Sequence, residues 1–145
     1  MPRLKAVIDI DAPREHVFAL AADVSKQPEW TTWIKEVTIT SGDGKSAGTT
    51  DRTKFKVGPM PQMLDVTWTE YTPAEAFGRH FSGYLKADEK MTFTPANGGT
   101  RVEWAVNYTP PFGVLGKFMA WFMMARFFQN ELEASLENLK AELEA

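Results

Sequence analysis

The stretch "EKMTFTPANGGTRVEWAVNY", Glu89 to Tyr108, decides how this chain folds. Two runs with apolar residues at every second position flank Ala96-Asn97-Gly98-Gly99. Asn and Gly tolerate the positive φ values of a two-residue hairpin, so the stretch reads as two antiparallel strands joined tightly. In the second run Val102, Trp104, Val106 and Tyr108 share one face, and Arg101, Glu103, Ala105 and Asn107 share the other. In the first, Met91 and Phe93 oppose Thr92 and Thr94.

The same grammar extends back to Ile34. "IKEVTIT", "TTDRTKFKV", "LDVTWTEY" and "AFGRHFSG" are short runs rich in strand formers, separated by "SGDGKSAG", "GPMPQ" and "TPAE". Short connections require antiparallel neighbours, because parallel pairing needs crossover helices. Thr53, Phe55 and Val57 oppose Arg52, Lys54 and Lys56. For the run 62–72 the pattern leaves open which face turns inward. Upstream, "LKAVIDI" (Leu4 to Ile10) is a further strand. "DAPREHVFALAAD" comes next as a helix, with Asp11 placed to cap it and Pro13 in its first turn. "SKQPEWTTW" is a second short helix with Ser25 as its cap, and Asp23 stands between the two as a cap for the segment after it.

Past Pro110 and Pro111 one long helix runs from Gly113 to Ala145. Phe118, Trp121, Ala125, Phe128, Leu132, Leu136, Leu139 and Leu143 advance by three or four, and stay within about ±60° of one line at ~100° per residue. That line is the buried face. The expected fold class is therefore α+β: a seven-stranded antiparallel curved sheet around a long C-terminal helix, with two short helices after the first strand. No repeat or linker divides residues 1–145, so one domain is expected.

Bulk properties narrow the function. Net charge is −3 and the pI near 5.4, which argues against nucleic acid as a partner. There is no cysteine, which rules out thiolate chemistry and disulfides. The N-terminus has no apolar stretch long enough for a signal peptide before Asp9 and Asp11, so a cytoplasmic location is the default. The greasy stretch "GKFMAWFMMARFF" (Gly116 to Phe128) carries Lys117 and Arg126 and gives way to polar sequence. It falls short of the roughly 20 apolar residues of a spanning helix.

These elements resemble a known family. "IDIDAPREHVFALAADVSKQPEWTTWIKEV" is similar to the N-terminal signature of the START-like, or SRPBCC, superfamily, in particular its polyketide cyclase/dehydrase and lipid-transport group. The carriers are Ile8-Asp9-Ile10, Ala12-Pro13, Val17-Phe18, Asp23, Pro28-Glu29-Trp30 and Val37, with "GGTRVEWAVNYTPPFG" as a second match. The resemblance implies a helix-grip fold with a ligand cavity between sheet and C-terminal helix. It leaves function open, because lipid carriers, aromatase/cyclases, hormone receptors and chaperone activators share the scaffold.

The inward positions then form a wall for an apolar small molecule or lipid: Trp33, Thr53, Phe55, Val57, Tyr71, Met91, Phe93, Val102, Trp104, Val106 and Tyr108, with Phe118, Trp121 and Phe122 from the helix. The competing reading is a solid core. Polar groups at inward or rim positions that would orient a ligand are few: Tyr71, His80, Tyr108 and Thr53. His80 and Tyr108 are weak catalytic candidates; His80 lacks a visible partner, and a lone strand histidine is more often a surface residue. His16 is read as solvated. Trp30 and Trp33 are expected to staple the short helices to the sheet. The sequence offers no phosphate-cradling loop, nucleophile elbow or metal-ligand spacing, so no metal or cofactor is expected.

Met123 and Phe127 lie about 160° from the buried line, and Met119 about 120°. With Phe112 they are expected to form an outer patch for a homodimer, a peripheral membrane contact or a ligand acceptor. The alternative is that "VGPMPQM" folds over them. The leading functional expectation is binding of a hydrophobic small molecule for carriage, sensing or sequestration. The alternatives are an aromatase/cyclase or dehydrase-type enzyme, and an interaction module acting through the outer helix face.

Overall fold

A computed structural model describes residues 3–57, 60–83, 85–109 and 118–145; the side chains of 57, 60 and 118–124 also lie outside the described set. The elements are β1 (Arg3–Ile10), α1 (Arg14–Ala21), α2 (Gln27–Trp30), β2 (Ile34–Ser41), β3 (Thr50–Val57), β4 (Met60–Thr72), β5 (Ala76–Gly83), β6 (Lys86–Ala96), β7 (Gly99–Thr109) and α3 (Phe118–Glu144). All seven strands form one antiparallel sheet in the order β1-β7-β6-β5-β4-β3-β2. Consecutive strands from β2 to β7 are neighbours, and β1 closes onto β7, so the short connections do produce the expected meander.

The β6–β7 turn has the expected geometry. Asn97 (φ 53°) and Gly98 (φ 81°) make the two-residue loop, and Ala96 pairs with Gly99. Register then runs unbroken from Lys86↔Thr109 to Ala96↔Gly99. Gly99 has a second constraint, since a Cβ there would fall against the Ile10 carbonyl of β1.

Strand β4 begins at Met60, so "GPMPQ", expected to be a connection, contributes Met60, Pro61 and Gln62 to the sheet. Pro61 is accommodated opposite Lys56, near the end of the ladder where its missing N–H matters least. The structure also settles the face of this strand. Leu64, Val66 and Trp68 turn inward, and a register shift between Trp68 and Glu70 resets the alternation so that Tyr71 joins them.

Both expected helix caps are corrected. The N-cap of α1 is Pro13, which has no side-chain cap, while the Asp11 backbone N–H donates to Glu144 Oε2 at 2.8 Å. The N-cap of α2 is Lys26, and Ser25 instead donates through both its N–H and Oγ to Asp23 Oδ1 (3.0 and 2.6 Å). Asp23 therefore closes the turn leading into α2, because a short acidic side chain reaches its own backbone two residues on more easily than a distant helix end.

α3 lies across the concave face and along β1. Leu132, Leu136 and Leu139 are buried on the expected line, with Ala125, Phe128 and Leu143 packed against the core. Phe118 and Trp121 fall outside the described side chains. Polar bonds hold the C-terminal half down: Thr32 N–H to Ser135 Oγ (3.0 Å), Asn138 Nδ2 to the Trp30 carbonyl (3.2 Å) and Lys140 Nζ to the Asp9 carbonyl (2.8 Å). Among the described residues, no helix is long and apolar enough to cross a membrane.

Candidate functional site

The concave face divides into a filled half and a hollow half. In the filled half, α1 drops Phe18 onto the sheet. Its ring meets Tyr71 (5.3 Å), Phe93 (5.2 Å) and Phe77 (6.1 Å) edge-on, and Phe77 packs on Trp68 at 5.1 Å. Trp30 of α2 fills the space over Trp104 at 5.6 Å. These edge-to-face and tilted rings pack directly on one another.

A buried ion pair stands in the wall between the halves. On β5, Phe77, Arg79 and Phe81 face inward; on β6, Ala87, Glu89 and Met91 do. Arg79 and Glu89 are direct cross-strand partners. Arg79 Nε and Nη2 donate to the two Glu89 oxygens at 2.6 and 2.9 Å, and Nη1 donates to Gln27 Oε1 at 2.9 Å. Both side chains are 1% exposed. The guanidinium also sits 5.1–5.5 Å from the rings of Trp68, Phe77 and Phe81. A second buried carboxylate, Asp51, accepts from Trp68 Nε1 (3.0 Å) and Thr53 Oγ1 (2.8 Å).

Beyond this pair lies the hollow, a cavity of about 60 Å³. That is room for roughly four waters. Trp33, Phe55, Leu64 and Phe81 form one wall, and Leu85, Ala87 and Glu89 the floor. Leu4, Trp104, Val106 and Tyr108 form the other wall, and Phe128, Glu131 and Leu132 of α3 close it above. Trp33 leans on Phe55 (5.9 Å) and Phe81 (6.3 Å), and Tyr108 meets Phe128 edge-on at 5.3 Å. Glu131 accepts a hydrogen bond from Thr32 Oγ1. Wider clefts exist on the surface, such as one between α1 and the β2–β3 loop, but that cleft is edged by Glu15, Asp23, Asp43 and Lys45.

Of the residues expected at the cavity wall, Trp33, Phe55, Trp104, Val106 and Tyr108 come together around the hollow. Thr53, Met91, Phe93 and Val102 face inward and are buried, but in the filled half or beside Asp51, and Tyr71 packs on Phe18 and Trp68. Val57, Phe118, Trp121 and Phe122 are outside the described side chains. His80 is on the convex face, half exposed, with Nδ1 2.8 Å from Asp88 Oδ1 across the strand pair, and has no access to the hollow. Phe127 is exposed on the outer side of α3, whereas Met119 and Met123 side chains and Phe112 are outside the described set. Among the described residues no three His, Asp or Glu side chains gather as metal ligands would.

Sequence reasoning overlooked Arg79, Glu89 and Gln27. The signal was present: in "AFGRHFSG" the inward phase of Phe77 and Phe81 carries Arg79 with it and turns His80 out. Alternation through Met91 and Phe93 likewise carries Glu89 inward. Gln27 had no such signal, since its reach to Arg79 spans 52 positions of chain.

A seven-stranded antiparallel sheet wrapped over one long terminal helix, with two short helices after β1, is the START-like helix-grip fold. Solved structures agree. TTHA0849 from Thermus thermophilus superposes with a TM-score of 0.84 at 18% identity, covering 98% of this chain and 97% of that one. A START superfamily protein from Mycobacterium smegmatis gives 0.80 at 17% identity, with 98% and 97% covered. XoxI from Bacillus cereus gives 0.76 at 14% identity, with 99% and 96% covered. At these identities the likeness shows the fold alone. No curated protein matches the chain by sequence. The family described as polyketide cyclase / dehydrase and lipid transport matches residues 1–144, and the chain belongs to it.

Proposed function

We propose that this protein binds an apolar small molecule or lipid in the hollow between the sheet and α3. One observation carries the reading. Phe18 and Trp30 plug half of the concave face, while rings and aliphatic side chains around the other half leave a gap into which no described side chain projects. Apolar walls with a few placed polar groups are the composition of small-molecule sites. The family's own description, which includes lipid transport, supports the same direction.

The carboxylates at the hollow are already engaged, Glu89 by Arg79 and Glu131 by Thr32, which leaves the Tyr108 phenol as the titratable group of the described lining without a partner. A carrier or sensor needs only the space and its lining, which favours binding over the cyclase alternative. The test is titration with the neutral fluorophore N-phenyl-1-naphthylamine. Saturable binding at one site is expected in the parent protein, and loss of it in Ala87→Phe, which places a ring in the gap. An Ala87→Phe protein that keeps its circular dichroism and binds as the parent does would move the site elsewhere.

A further inference from the structure

Two side chains of the wall bear on what kind of molecule the hollow suits, given that it binds one. Tyr108 Oη and Trp104 Nε1 belong to side chains no more than 1% exposed, and neither has a hydrogen-bond partner among the described residues. Both side chains line the hollow. Buried polar groups are almost always paired, so an unpaired donor on a side chain that borders a gap is open to an acceptor from outside the chain once a ligand shifts the ring. Burial pushes the Tyr108 phenol above its ordinary pKa of 10.0, so it remains a protonated donor at neutral pH. Trp104 can only donate. The two stand four residues apart on one face of β7, about 13 Å of strand, with Val106 between them opposite Glu89 of β6.

The charge on the wall is the second observation. The described lining contains Glu89 and Glu131 and no lysine or arginine. Arg79 balances Glu89, whereas the partner of Glu131 is the neutral Thr32 hydroxyl. A ligand carboxylate entering here would meet like charge in a poorly solvated site.

Resting on the binding function proposed above, we infer that the hollow prefers a neutral, oxygen-bearing apolar molecule (an alcohol, phenol, ketone or ester) over both the bare hydrocarbon and the carboxylate anion. Its oxygen accepts from Tyr108 Oη or Trp104 Nε1.

The matched probes naphthalene, 2-naphthol and 2-naphthoate test this by calorimetric titration, with methyl NMR shifts at Leu4, Leu64 and Leu85 to place the ligand. The expected order is 2-naphthol tightest, on the order of fivefold over naphthalene, with 2-naphthoate weakest. Tyr108→Phe or Trp104→Phe should bring the naphthol-to-naphthalene ratio toward one while naphthalene still binds, and melting curves verify that each variant folds. Naphthoate binding as tightly as naphthol, or an unchanged ratio in both variants, overturns the preference and leaves apolar binding standing. If none of the three probes shifts those methyls, the binding function itself falls, and this preference with it.

Discussion

Arg79 is 2% exposed, yet it is a cation in a core of rings. It is tolerated because its charge is met by the Glu89 carboxylate through two N–H donors, a third donates to Gln27, and its flat faces meet aromatic rings. Two buried charges in such an arrangement offset their desolvation only while both are present. Arg79→Ala or Glu89→Ala should therefore each cost about 3–5 kcal/mol in urea unfolding. The double replacement Arg79→Met with Glu89→Leu should recover most of that loss, because no uncompensated charge remains. Equal losses in the single and double variants would mean that the pair contributes by packing rather than by mutual neutralisation. The pair also illustrates how a local pattern is under-read. The eye goes to His80, the familiar titratable residue, although the phase of Phe77 and Phe81 assigns the interior to Arg79.

Charged side chains gather where the end of β1 meets β7 and the last turns of α3. Asp9 is held below the ordinary carboxyl value of 3.8, chiefly by the hydrogen bond from Arg101. Glu144 is held below 4.5, first by the Asp11 backbone N–H and then by Lys140. Both are depressed acids, so the unfolded chain binds their protons first as pH falls. Their contribution to stability is present above the unfolded values of 3.8 and 4.5 and disappears as pH drops through the lower folded values. Both groups are solvent-facing, so the effect is local. The expected outcome is fraying of the last turns of α3 in acid, seen as faster amide exchange near Lys140 below pH 4 than at pH 6 after correction for intrinsic rates. Glu144→Gln should show at pH 6 much of the fraying that acid induces in the parent. An unchanged profile in that variant would place the clamp elsewhere. The Thr32–Ser135 and Asn138–Trp30 bonds, one or two turns earlier, are insensitive to pH and keep the helix seated.

For the molecule as a whole, the hollow couples stability to occupancy. Whatever binds the folded state and not the unfolded chain stabilises it by mass action, about 2.7 kcal/mol at a hundredfold excess over Kd. For a domain of 145 residues that corresponds to roughly 5–10 °C in Tm. A neutral bicyclic ligand at that excess should raise the parent's melting temperature by this amount and leave Ala87→Phe unmoved. A ligand-induced shift of equal size in Ala87→Phe would show that binding does not occur in the hollow. Such a bicyclic ligand must displace part of the wall to enter, since the space as it stands holds only a few waters' worth of volume.

The strands, the Asn97-Gly98 turn, the long closing helix and its buried leucine line follow from neighbours along the chain, because side-chain period and permitted φ are local properties. The helix caps were less legible: Asp11 and Ser25 are suitable cap residues, and only the folded arrangement, with Glu144 beside Asp11 and Asp23 beside Ser25, shows that their hydrogen bonds go elsewhere. Five expected wall residues gather at the hollow, and Thr53, Tyr71, Met91, Phe93 and Val102 share their inward phase but not their surroundings. Alternation tells which residues point inward. It cannot tell where Phe18 and Trp30, carried in by separate helices, consume the interior and where they stop short. Whether a volume is full depends on the sum of side chains arriving from distant segments, and that sum exists only once Gln27, Arg79, Glu89 and α3 have met.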